Sequence, residues 1–106
     1  MKLDDPHSPL IPAQSAVLLV FMPPERADRQ QWASLVALSD SLQAHLGGLL
    51  RVLRIDKVNH PDVVRSFDIT HTPAFVLVRQ GIELWRQVGM SDEATLIVLI
   101  QRRLTA

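Results

Sequence analysis

The 106-residue chain has no cysteine and no tyrosine, few glycines, and no surplus of charge of either sign. Without cysteine there is no disulfide framework, no thiolate nucleophile and no zinc-thiolate site, and nothing in the composition calls for an oxidising compartment. Eleven basic residues balance eleven acidic ones and form no run, so the electrostatic footprint on which nucleic-acid binding draws is missing. The longest apolar run, "AVLLVFM" at 16–22, is far too short to span a bilayer. The start, "MKLDDPHSPLIPAQ", is acidic and interrupted by three prolines, unlike the positive and then apolar pattern of a signal peptide. These absences predict a cytoplasmic protein with no cofactor and no metal, touching neither nucleic acid nor membrane.

What is present suits a single globular domain. Nearly half of the residues are hydrophobic, enough for a core without metals or disulfides. Pro6, Pro9 and Pro12 mark 1–15 as an irregular arm, leaving 16–106 as the domain. The run 16–22 is apolar at every position, as a strand covered on both faces requires, and Pro23-Pro24 end it because proline offers no ladder donor. Asp28 is placed to cap a helix, with Gln31 able to return the bond in a capping box. Trp32, Leu35, Val36, Ser39, Leu42 and Leu46 then recur at helical spacing, and Gly47-Gly48 should end that helix in a left-handed turn.

A second strand is expected at 49–55, followed by Asp56 and a short helix started by Asn59 or His60 with Pro61 in its first turn. Val63, Val64 and Phe67 are its apolar face. "AFVLVRQG" and "IELWRQVG" read as strands of a hairpin turning at Gln80-Gly81. Ser91 should cap the last helix, with Asp92 and Glu93 in its first turn and Leu96, Ile97, Leu99, Ile100 and Leu104 buried. The order β-α-β-α-β-β-α predicts an α/β fold: a right-handed parallel β-α-β unit, an antiparallel hairpin, and helices on both sheet faces.

This order and three stretches of sequence resemble the thioredoxin family from about residue 16 to residue 104. The stretches are "VLLVF" leading into a loop and long helix, "RIDKVNHPDVVRSFDITHTPAF", and the closing "RQGIELWRQVG". The resemblance implies a thioredoxin-like fold, a cis peptide bond at Thr72-Pro73, and a loop there that offers backbone groups to an extended substrate segment. Pro73 also reads simply as a residue that shapes its loop. Fifteen residues before the first central strand are too few for the family's full first strand and helix, which predicts a less covered sheet face.

Where the family carries its WCxxC motif, this chain reads "ERADR". Glu25 replaces the aromatic residue, Arg26 and Arg29 replace the two cysteines, and Val20 stands at the family's buried aspartate. Thiol–disulfide exchange needs a thiolate, and guanidinium is no nucleophile, so the family's redox activity does not carry over. No serine lies in a G-x-S-x-G motif, and His45, His60 and His71 lack metal-binding spacing.

Two surfaces remain as candidates. Pro24, Glu25, Arg26, Arg29, His71, Thr72 and Pro73 match the family's active-site and cis-proline loops, and point to a binding module with a protein partner, of adaptor or chaperone-like kind. Alternatively, Arg26, Arg29 and His71 at a helix N-terminus hold a small anion or small molecule, or the chain is of the family by fold alone and needs a cysteine-bearing partner for any redox role. Trp32 falls on the apolar stripe and reads as core. In the last strand Ile82, Leu84 and Val88 alternate to one face and Glu83, Trp85 and Gln87 to the other. Trp85 is then either a homodimer or partner interface anchor or a cover for the bare sheet face.

Overall fold

The computed structural model describes residues 16–105; the expected arm at 1–15 lies outside them. Seven elements follow in the expected order: β1 (Ala16–Phe21), α1 (Arg29–Leu46), β2 (Leu50–Ile55), α2 (Pro61–Ser66), β3 (Ala74–Arg79), β4 (Ile82–Val88) and α3 (Glu93–Thr105). The sheet runs β2-β1-β3-β4. β1 pairs parallel with β2 and antiparallel with β3, and β3 pairs antiparallel with β4.

Alternation along the strands divides the core. Leu18, Val20, Phe75 and Leu77 point to one face, where Leu35, Leu42, Leu46, Leu96 and Ile100 of α1 and α3 cover them. Leu19, Phe21, Ile55 and Val76 point to the other, against Val63, Val64 and Phe67. The second face has only the short α2 as a helical cover among the described residues, and Leu53 and Val88 there are 36% and 56% exposed. Among the described residues this face is the less covered of the two.

Local chemistry sets the helix ends. The Asp28 carboxylate accepts from the Gln31 backbone N–H at 2.9 Å, satisfying one orphan donor, but the Gln31 side chain returns no bond. Gly47 is right-handed (φ −61°, ψ −21°), not left-handed as expected. Its lack of a side chain matters for space: a Cβ there would lie 2.7 Å from the Gln43 carbonyl oxygen. Asp92, not Ser91, caps α3, because its carboxylate accepts from the Thr95 N–H at 2.7 Å; an acceptor must stand one residue before the helix, and α3 starts at Glu93. At this same end, Ser41 Oγ donates to Glu93 Oε2 at 2.7 Å and His45 Nδ1 lies 2.9 Å from that oxygen. The other neighbour of Nδ1 is the Ser41 carbonyl at 3.0 Å. Both neighbours of Nδ1 are acceptors suited to a ring N–H, and the contact ties α1 to α3.

His60 occupies the N-cap position of α2 without a side-chain bond. Asn59 is instead held by Asp56, whose Oδ1 accepts from the Asn59 N–H at 2.7 Å and Oδ2 from its Nδ2 at 2.9 Å. These bonds hold the Asp56 carboxyl below its ordinary pKa, with a smaller contribution from His60. The far end of α2 is a Schellman motif: Asp68 N–H reaches the Arg65 carbonyl at 3.0 Å and Ile69 N–H the Val64 carbonyl at 3.1 Å. Asp68 supplies its left-handed residue at φ 55°.

Gln80 and Gly81, both at positive φ, make the two-residue hairpin turn. A bulge follows: Leu77 pairs with Trp85 but Val78 pairs with Glu83, so one extra residue enters β4 and the alternation resets. This overturns the expected faces of β4. Ile82 is 63% exposed rather than buried. Trp85 shares the face of Leu77 and packs, half-buried, against the α1/α3 cluster, so it is not a cover for the bare face. Glu83 and Arg86, which strict alternation would separate, meet in a fork of two 2.7 Å bonds. Arg86 Nη2 also donates to the Phe67 carbonyl at 3.0 Å.

Asp68→Gly removes a left-handed non-glycine residue and is expected to raise stability by roughly 0.5–1 kcal/mol, read as a higher denaturant midpoint with an unchanged slope. Because the Asp56 carboxyl titrates below its ordinary 3.8 in the folded state, its stabilising effect is complete above that value and lost as pH falls through the depressed one. The stability gap between wild type and Asp56→Ala should therefore be widest near neutral pH and narrow below about pH 3.8, measured by urea unfolding across the range.

Candidate functional site

Because β1 and β2 run parallel, their carboxyl ends lie side by side, and because β3 runs against β1, its start lies there too, with Phe21 opposite Ala74. Three loops therefore converge on one end of the sheet: 22–28 after β1, 56–60 after β2, and 67–73 before β3. They enclose a cleft of about 780 Å³. Open α/β sheets bind ligands outside the carboxyl ends of parallel strands for this reason.

The cleft wall is mostly apolar. Met22, Pro23 and Pro24 form one side, Trp32 rises from the first turns of α1, and Val64 and Ile69 come from α2 and its Schellman end. Val58 stands at the rim, 89% exposed. The polar lining is Glu25, Asp56, Lys57, Asn59, Thr70 and Thr72. Both Asp56 oxygens are engaged by Asn59, and its lowered pKa keeps it an anion, so it is an acceptor and not a proton donor. Two acids against one lysine give the cleft a negative bias.

The Thr72-Pro73 peptide bond is cis, as the resemblance implied. Pro73 is buried, and its carbonyl accepts from the Gly89 N–H at 2.8 Å. Gly89 adopts φ 98° there, a conformation that favours glycine. Thr72 lines the cleft and, among the described residues, makes no backbone hydrogen bond.

The predicted site residues therefore divide. Pro24, Glu25 and Thr72 line the cleft, and Pro73 is directly behind Thr72 in the chain. Arg26, Arg29 and His71 are exposed and do not line it. Neither arginine makes an ion pair among the described residues, and Asp28, a candidate partner, is committed to its cap. His71 Nδ1 lies 3.0 Å from Thr70 Oγ1, with no third group orienting the ring. Trp85 lies outside the cleft, on the face of α1 and α3.

Sequence reasoning assigned Trp32 to the core; it is half-buried, touching the core with one side and lining the cleft with another. It also passed over the Asp56–Asn59 turn, although an Asp three residues before Asn, at the end of a strand, is a legible turn signal. The 56–59 wall as a whole escaped notice because its residues gain meaning only from where β2 ends. Val20 is fully buried, and with no cysteine in the chain the site has no thiolate with which to perform disulfide exchange.

No protein-family model and no curated protein matches the chain. Solved structures do. A malarial protein matches with a TM-score of 0.69 and 21% identity over 85% of this chain and 98% of its own. Thioredoxin-2, a component of the malaria parasite protein secretion machinery, matches with a TM-score of 0.71 and 19% identity over 91% of this chain and 89% of its own. The germline-specific thioredoxin Deadhead of Drosophila melanogaster matches with a TM-score of 0.68 and 20% identity over 84% and 81%. Likeness at that level of identity establishes the fold: this chain is a cysteine-free protein with a thioredoxin-like fold.

Proposed function

We propose that the protein is a non-redox binding module, adaptor or chaperone-like in kind, which holds an extended polypeptide segment of a partner in the cleft beside Thr72 and Pro73. The observation that carries this reading is the pairing of an apolar cleft of about 780 Å³ with a lining residue, Thr72, that has no backbone hydrogen bond among the described residues. An unpaired backbone at the edge of a groove is what strand-like peptide recognition uses, with apolar side chains seated in adjacent pockets. Trp32 is the natural anchor, since a half-buried indole contributes large contact area at low entropic cost. Glu25 and Asp56 favour a segment with a basic residue near its apolar ones. None of this recognition needs sulfur, and a cysteine-free chain is at home in the cytoplasm.

Titration with a short apolar peptide carrying one lysine, followed by two-dimensional NMR, tests the reading. The Thr72 amide and the Trp32 indole should shift on binding, and Trp32→Ala should weaken binding about tenfold or more. Binding that leaves Thr72 and Trp32 unmoved, or that Trp32→Ala does not weaken, would overturn it. A parallel titration with inorganic phosphate that moves Arg26, Arg29 and His71 would instead favour the anion site.

A further inference from the structure

α2 is six residues long and none of them is buried, so its place against the sheet depends on ties from outside the helix. One tie is apolar: the Phe67 ring meets that of Phe21 in β1 with centroids 5.9 Å apart. Another is polar and comes from β4, where Arg86 Nη2 donates to the Phe67 carbonyl at 3.0 Å. Phe67 is the C-cap of α2, and a helix leaves its last carbonyls without partners of its own. Arg86 thus fastens the helix end to the sheet. From that point the chain turns at Asp68, with φ 55°, into Ile69, Thr70 and Thr72, which line the cleft.

Arg86 is itself fixed. Its Nε and Nη2 donate to the two Glu83 carboxylate oxygens at 2.7 Å each. The donors of a guanidinium lie in one rigid plane, so the fork orients the same Nη2 that reaches Phe67. Arg86 holds the Glu83 carboxyl below its usual range, and Glu83 pushes Arg86 up, with a smaller pull from Asp68. The fork is therefore fully charged near neutral pH. The bulge in β4 makes it possible. Glu83 pairs with Val78 and Arg86 with Val76, and both partners belong to the cluster on the α2 side of the sheet. In a regular strand, residues three apart would fall on opposite faces. Re-aiming a side chain beside a site is a recurrent use of such bulges.

We propose that Arg86 is a positioning residue for the cleft: forked to Glu83, its guanidinium fixes the Phe67 carbonyl and so sets where Ile69, Thr70 and Thr72 stand relative to Trp32 and the proline loop. Arg86 does not line the cleft and acts through the end of α2. Strand-like pairing needs the Thr72 backbone at one distance from the indole that anchors the segment, and Arg86 supplies the restraint on the Thr72 side. A lysine has no planar fork and cannot hold both carboxylate oxygens and the carbonyl in one geometry. The consequence for binding rests on the peptide reading given above; the consequence for the cleft wall does not.

The test uses the full chain, first without ligand. Arg86→Met keeps the aliphatic stem and removes all three bonds, and Arg86→Lys gives a second variant if the first folds poorly. In each, the Asp68 and Ile69 amides should exchange roughly tenfold faster relative to those of β1, and the Thr70 and Thr72 amide resonances should move while the Trp32 indole stays. Glu83→Gln should produce a smaller change in the same direction. The double variant Glu83→Gln/Arg86→Met should exchange no faster than Arg86→Met alone, because Glu83 acts through Arg86; two independent supports would add. With the apolar peptide carrying one lysine, Arg86→Met should bind roughly fivefold more weakly than wild type. Exchange at Asp68 and Ile69 that rises no more than at β1 would overturn the proposal, as would additive effects in the double variant or peptide binding that Arg86→Met leaves unchanged. A wild-type chain that binds no peptide counts against the peptide reading instead, and the ligand-free comparison still decides the role of Arg86.

Discussion

The burial of β1 on both faces is the constraint from which the rest follows. Every described residue of that strand is buried or nearly so, so the sheet must have helices or their equivalent on each side and a bonded strand along each of its edges. β2 and β3 supply the edges, and α1 and α3 supply one cover. Once β1 is central and β2 lies parallel beside it, a helical crossover is required, and α1 is that crossover. The cleft is a product of the same constraint, since parallel neighbours bring their carboxyl ends and following loops together.

The chain carries a thioredoxin-like fold without cysteine. The helix still starts behind a proline loop, and the cis peptide bond still faces it across the strand ends. Arg26 and Arg29 are exposed, and Val20 is fully buried. What the cleft offers is an apolar wall and Thr72, which has no backbone partner among the described residues. The arginines turn to solvent while the cleft itself carries Glu25 and Asp56. Charge therefore distinguishes the peptide site proposed in the cleft from the alternative anion site on the outer loop.

The described sheet has four strands, with β2 and β4 at its outer positions. Side-chain bonds tie these outer strands to the helices beside them. Gln43 of α1 bonds the Val52 N–H and the Leu50 carbonyl of β2, Asp40 of α1 holds Arg54, and Arg86, forked to Glu83, bridges β4 to the end of α2. These side chains come from distant points in the chain and act only through the surfaces they reach.

The chain sequence by itself determined the element order, the central strand, the Asp28 cap, the hairpin turn and the loss of redox chemistry, because each rests on residues adjacent or at helical spacing: an unbroken apolar run, an Asp before a helix, two turn residues, a missing atom type. Even the cis Thr72-Pro73 bond was anticipated through the resemblance. The tertiary structure alone decided what depends on pairing across the sheet. A bulge between Leu77 and Val78 set the face of Trp85, and no periodicity within β4 announces it, since one inserted residue exchanges the faces of every residue beyond it. Crowding against Gln43, not handedness, called for Gly47, and the position of Gln43 over β2 depends on how the helix packs. The cleft likewise draws on three loops far apart in sequence, so its membership could be known only after the strands had brought them together.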